Sequence, residues 1–134
     1  MNIIEKIASE EGFSTSMYKC PADKWTIGYG FNLEALEMPE EVAELWLKTL
    51  IDDIEMQLDM FDFYDDAEPH IKLVFIDMSY QMGVKGMLKF SNMIDAIERL
   101  DYETAANELL DSKYARQTPA RAKRNADIIR SGEV

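Results

Sequence analysis

The sequence predicts an α+β protein that is mostly helical, with one small sheet near the N-terminus. Three observations lead there. Period-two alternation is confined to one stretch, where Trp25, Ile27 and Tyr29 alternate with Lys24, Thr26 and Gly28. Beyond Pro39 the apolar residues recur at helical spacing. The composition, 47% hydrophobic and 30% charged over 134 residues, is that of a globular chain able to bury a core without a metal or disulfide framework.

Taken in order, Asn2 to Glu11 places Ile3, Ile4 and Ile7 on one helical face, and Gly12 is a natural stop. Glu11 is then the last residue of a short helix. A hairpin or three-stranded sheet is expected from about Met17 to Leu33, with a turn at Pro21 and Asp23. Pro39, Glu40 and Glu41 start a helix, with proline in its first turn and carboxylates at the positive end of its dipole. Val42, Leu45, Trp46, Ile51, Ile54 and Leu58 carry that helix to about Met60. Asp62 to Pro69 is acidic and interrupted by proline, and a joint between two lobes is expected there. Ile71 to Met82 is apolar nearly all round, as a buried central helix is, and Gly83 and Gly86 end it. Phe90 to Leu100 is amphipathic, Asp101 caps a further helix, and Thr118-Pro119 opens the last one, to about Arg130. The methionines at 56, 60, 78, 82, 87 and 93 read as core filler, and His70 as a surface residue. There are no internal repeats.

Charge narrows the function. The chain carries 26 acidic and 14 basic residues, a net charge of −12. That balance argues against nucleic-acid binding and against association with anionic membranes. The charge is uneven: Glu34 to Glu68 holds 13 carboxylates and one lysine, whereas Ser112 to Val134 holds six basic residues and two acidic ones. One cysteine and one histidine exclude an internal disulfide and a dense metal centre. No apolar run reaches the ~20 residues of a membrane span, and the N-terminus has no signal-peptide character.

The candidate chemistry begins at Glu11. It lies at a helix end before a sheet that carries Tyr18, Cys20, Trp25, Thr26 and Tyr29. A glutamate in a cleft lined by aromatics stays protonated through desolvation and can act as an acid, and mixed aromatic and polar walls suit sugar rings.

Three blocks sharpen this. Glu11-Gly12, Tyr18-Lys19-Cys20 and Trp25-Thr26-Ile27-Gly28-Tyr29-Gly30 form the first, with eight residues between Glu11 and Cys20 and five between Cys20 and Thr26. Tyr80-Gln81-Met82-Gly83 followed by Phe90-Ser91-Asn92 is the second, and Gln117 to Arg124 the third. In this order they resemble the phage-type lysozymes of glycoside hydrolase family 24.

The resemblance implies a single two-lobed lysozyme domain over 1–134. Its N-terminal lobe would span about 12–65, its connecting helix about 69–82, and its helical C-terminal lobe about 83–134 together with the helix 1–11. It implies a muramidase that hydrolyses the β-1,4 bond between N-acetylmuramic acid and N-acetylglucosamine in peptidoglycan, needs no cofactor or metal, and acts as a monomeric endolysin. Glu11 would be the general acid and Thr26 would position water or stabilise the intermediate. Cys20 stands where most relatives have aspartate. Gln81, Tyr80, Phe90 and Leu33 would contact substrate, and Arg121 matches an arginine that pairs with the catalytic glutamate. With no export signal, release from the host cytoplasm to the periplasm and wall would depend on a holin. Two departures stand out: Phe31 replaces a histidine common in relatives, and the chain is acidic where relatives are basic. The rivals are a lytic transglycosylase using Glu11, and a catalytically degenerate, glycan-binding domain of the same fold.

Overall fold

A computed structural model describes residues 1–134. The elements run α1 (Ile3–Glu11), β1 (Ser14–Lys19), β2 (Trp25–Gly28), β3 (Phe31–Asn32), α2 (Glu40–Leu58), α3 (Asp62–Asp65), α4 (Pro69–Met82), α5 (Val84–Leu88), α6 (Ser91–Glu98), α7 (Tyr102–Leu110), α8 (Lys113–Gln117) and α9 (Pro119–Ser131). This is the mostly helical α+β arrangement with one three-stranded antiparallel sheet. The chain divides into two compact units, Met1–Glu44 and Leu45–Val134, and the division falls within α2.

In the first unit, α1 is fixed at both ends. Asn2 accepts from the Glu5 N–H while the Glu5 carboxylate accepts from the Asn2 N–H, a reciprocal capping box. Gly12, at φ 70°, closes the C-terminus by donating its N–H to the Ala8 carbonyl. The apolar face of α1 carries Ile3, Ile4 and Ile7, and all three are exposed. The sheet order is β1-β2-β3, with Tyr18 opposite Thr26, Thr26 opposite Asn32, and Ile27 opposite Phe31. Pairing starts at Ser14, earlier than the sequence pattern suggests, because the register breaks between Ser14 and Tyr18 and disturbs the alternation. Gly28 and Gly30, both at positive φ, shape the tight β2–β3 turn. Phe31, in the place of the expected histidine, packs edge-on to Tyr29 and covers Gly28.

In the second unit the core is centred on α4, whose Ile71, Val74, Phe75 and Met78 are fully buried. Met87, Met93, Leu109 and Ile129 close around them from α5, α6, α7 and α9. Phe75 is the largest of these side chains, and Phe63 packs edge-on to it. Truncating such a ring costs about 3–5 kcal/mol.

Several expectations need correcting. Met56 and Met60 are exposed at 71% and 81%, so the core-filler role falls to Met78, Met87 and Met93. Gly86 lies inside α5 and stops nothing; Gly83, at φ 82°, ends α4 alone. The short helices α3, α5 and α8 leave no readable period at four or five residues each. Thr118 precedes α9, but its hydroxyl donates back to the Tyr114 carbonyl and leaves the first turn of α9 uncapped by a side chain. No helix is long and apolar enough to cross a membrane.

Candidate functional site

The candidate residues fall in two groups, one on each unit. On the first unit, Glu11 is the final residue of α1 and is exposed. Its carboxylate rests directly on the backbone of Gly30, so closely that a Cβ there would overlap it. The glycine of the β2–β3 turn is thus what admits the Glu11 side chain. What distinguishes this exposed glutamate is its placement against the turn.

Thr26 is the buried residue at the centre of β2, 3% exposed. Its hydroxyl donates to the Lys24 carbonyl at 2.9 Å. Cys20 follows β1 at the start of a tight loop, where its N–H donates to the Lys24 carbonyl and its carbonyl accepts from the Asp23 N–H. Asp23 takes a positive φ of 62° to complete the loop. Hydrogen bonding from the Lys24 backbone holds the half-buried Cys20 thiol below its ordinary value, against the opposing pull of desolvation; Ala22 and Thr26 add to the lowering. The Cys20–Lys24 loop and β2 therefore bring Cys20 and Thr26 together. Leu33 is exposed beyond β3, tied by its N–H to the Trp25 carbonyl at 2.8 Å. The Glu34 carboxylate accepts from the Trp25 N–H at 2.8 Å and braces the same strand end.

On the second unit, Tyr80 and Gln81 are exposed in the last turn of α4. Gln81 and Phe90 line a cavity of about 570 Å³ whose wall also includes Asn92, Glu108, Lys113 and Tyr114. The Phe90 ring meets Tyr114 edge-on, centroids 6.2 Å apart. Tyr80 is not part of that wall.

Arg121, in the first turn of α9, is engaged by Asp77 of α4. Its Nε donates to one carboxylate oxygen at 3.1 Å and a terminal nitrogen to the other at 2.5 Å. Asn125, one turn further on, donates to the same carboxylate at 2.8 Å and to the Tyr114 hydroxyl at 3.2 Å. Partial burial pushes the Asp77 carboxyl up, but these hydrogen bonds and the charges of Arg121 and Arg124 outweigh it and hold it below the usual carboxylate value. The sequence pattern points to Arg121 and misses Asp77, Asn125 and Tyr114. A signal for Asp77 exists: it is the one carboxylate in the apolar run from Ile71 to Met82.

Residues 8–127 match the sequence profile of the family described as phage lysozyme. The chain is similar to a probable T4-type lysozyme 1 of Dictyostelium discoideum, 25% identical, with 99% of this chain and 96% of that protein covered. It is also similar to a probable T4-type lysozyme 2 of the same organism, 28% identical over 81% of this chain and 68% of that protein. A third match is the pre-baseplate central spike protein Gp5 of Enterobacteria phage T4, 31% identical over 71% of this chain and 17% of that protein.

Proposed function

The chain belongs to the phage lysozyme family and is a lysozyme-type glycoside hydrolase of peptidoglycan, and on that premise we propose that it cleaves the β-1,4 bond between N-acetylmuramic acid and N-acetylglucosamine. Glu11 is the general acid: its carboxyl proton passes to the bridging oxygen as the bond from the muramic C1 breaks. Water supplies hydroxyl to C1 and its remaining proton leaves to a base, so the product gains the elements of water. Thr26 orders that water or stabilises the intermediate. Cys20, where relatives carry a carboxylate, is the second group, as a thiolate that assists the incoming water or attacks C1. Leu33, Tyr80, Gln81 and Phe90 contact the glycan, and Arg121, whose guanidinium is held by Asp77, keeps a supporting role. The protein acts as a monomer of one two-lobed domain, without a cofactor. Its setting is host lysis: the enzyme waits in the host cytoplasm and reaches the periplasm and wall when a holin opens the membrane.

The observation that carries this reading is the seat of Glu11. A carboxyl at a helix end, packed on a turn glycine, with the buried Thr26 on the strand leading into that turn, sets the candidate acid and the candidate hydroxyl on either side of one short turn. The test is Glu11→Gln on outer-membrane-stripped cells. An amide cannot donate the proton, so lysis falls by roughly 10²–10⁴-fold or more while the fold is kept. Undiminished lysis in this variant overturns the assignment. The mass of the released fragments separates hydrolysis, which adds water, from an anhydro product.

A further inference from the structure

Strand register sets a further polar residue beside Thr26. Tyr18 of β1 pairs with Thr26 of β2, and Thr26 pairs with Asn32 of β3, so the three side chains form one row on one face of the sheet. One step along the ladder, the Leu33 N–H donates to the Trp25 carbonyl at 2.8 Å. Bonded and unbonded pairs alternate, so Thr26 and Asn32 are an unbonded pair, the kind whose side chains come closest. Both stand on the arms of the hairpin whose turn seats Glu11 at Gly30. The hydrogen-bond polarity of the two is complementary. Thr26 spends its one hydroxyl hydrogen on the Lys24 carbonyl at 2.9 Å, so toward a further partner its oxygen accepts. The half-buried Asn32 is engaged in the opposite sense. Its Oδ1 accepts from the Glu34 N–H at 3.0 Å, which occupies the acceptor end of the amide and leaves the Nδ2 hydrogens to donate elsewhere. Cys20 meets the same Thr26 hydroxyl from the β1–β2 loop, but sulfur is a weak hydrogen-bond partner for water. A water held by Thr26 and Cys20 alone has one firm contact.

We propose that Asn32 is a positioning residue that, together with Thr26, holds the water attacking C1. The inference rests on the hydrolase reading above and deepens it. The water donates one hydrogen to Thr26 Oγ and accepts one from Asn32 Nδ2. Its second hydrogen passes to the Cys20 thiolate as its remaining lone pair forms the bond to C1. The bond from C1 to the bridging oxygen breaks with its electron pair on that oxygen, which takes the Glu11 proton. Both hydrogens and both lone pairs of the water are thereby assigned. Asn32 matters because of its polarity. A second acceptor opposite Thr26 would bind the other hydrogen of the water and compete with the base, whereas a donor there binds a lone pair and fixes the direction of the one left for C1.

The test uses the intact chain and a soluble, un-cross-linked peptidoglycan fragment, with kcat and KM read at the optimum of each protein's own pH profile. That choice separates the placement of water from any effect of charge on Glu11. Asn32→Asp keeps the shape of the side chain and the acceptor for the Glu34 N–H, but at neutral pH it has no hydrogen to donate. Its kcat falls roughly tenfold, as for one hydrogen bond made in the transition state, while KM stays within about twofold of the parent's and the melting temperature is kept. Asn32→Ser retains both a donor and a turn acceptor, and it keeps kcat within about threefold of the parent's. Three results overturn the proposal: a parent-like kcat in Asn32→Asp, a raised KM with kcat unchanged, or an equal loss in the two variants. The second would make Asn32 a substrate contact, and the third would confine it to the turn. Glu11→Gln in the same assay tests the hydrolase reading separately. If the parent releases no hydrolysed product, or if Glu11→Gln turns over as fast as the parent, that reading falls and takes the placement of the water with it. If Glu11→Gln is inactive while Asn32→Asp matches the parent, the hydrolase reading stands and the role of Asn32 alone is refuted.

Discussion

Asp77 of α4 and Arg121 of α9 form a two-pronged ion pair, 3.1 and 2.5 Å, between residues 44 apart in sequence. It fastens the first turn of α9 to the central helix. That turn needs fastening, because Thr118 does not cap it through its side chain.

The pair has a pH signature. Asp77 has a folded pKa below its ordinary 3.8, so its contribution to stability is fully present above that value and is lost as pH falls through the folded pKa. Asp77→Ala costs about 2 kcal/mol at neutral pH, since it removes charged hydrogen bonds and leaves Arg121 unmatched. The gap between parent and variant narrows as pH falls below 3.8, because the unfolded chain takes up its proton there before the folded carboxyl does. Urea unfolding of both proteins at pH 7 and near pH 2.5 measures it; a gap independent of pH refutes it.

Gly30→Ala tests the seat of Glu11. The substitution forces a non-glycine residue to φ 71° and pushes its Cβ into the Glu11 carboxylate. The backbone penalty is about 1–2 kcal/mol. The exposed carboxylate gives way, so the fold survives with a lowered melting temperature while lysis drops at least tenfold. Gly28→Ala is the comparison, since its Cβ at φ 68° meets the Phe31 ring at 2.9 Å and leaves Glu11 untouched. Equal losses of activity in the two variants would remove Glu11 placement as the cause.

Cys20 is expected to behave as an acidic thiol. Its alkylation rate as a function of pH has a midpoint below that of a free thiol, because the Lys24 backbone stabilises the thiolate. Cys20→Ser loses most lytic activity, whereas Cys20→Asp keeps much of it, since a carboxylate fills the same role. A serine variant that cleaves as fast as the parent would show that the sulfur has no chemical part.

How far the sequence reaches depends on the length of the signal. The helices α2, α4 and α9, each thirteen residues or longer, carry enough periods to be read directly, and Asp101 is the cap expected for α7. The short helices α3, α5 and α8 do not, and their consequences were equally hidden: α5 and α8 build the cavity flank that holds Lys89 and Lys113. Glu11, Cys20 and Thr26 are legible as a spacing, because a short helix and a hairpin keep near neighbours close. Asn125 is not, and Asp77 shows only as the one carboxylate of an apolar run, since the contacts of Asp77 with Arg121 and Asn125 are tertiary ones between α4 and α9 that leave no local period.

Asn125 gives its amide a direction. One N–H goes to the Asp77 carboxylate and the other to the Tyr114 oxygen, so that oxygen already accepts a hydrogen bond from behind. Burial raises the Tyr114 pKa, and the phenol keeps its own hydrogen through the neutral range. Tyr114 is also part of the cavity wall. Asp77 accepts from both the guanidinium and the amide, the amide donates on to the phenol oxygen, and the phenol O–H is left as the donor at that end. A guest that meets this oxygen from the cavity finds a hydrogen offered to it. A neutral carbonyl is the complementary group at that point, since Glu108 and Asp111 in the same wall disfavour a carboxylate.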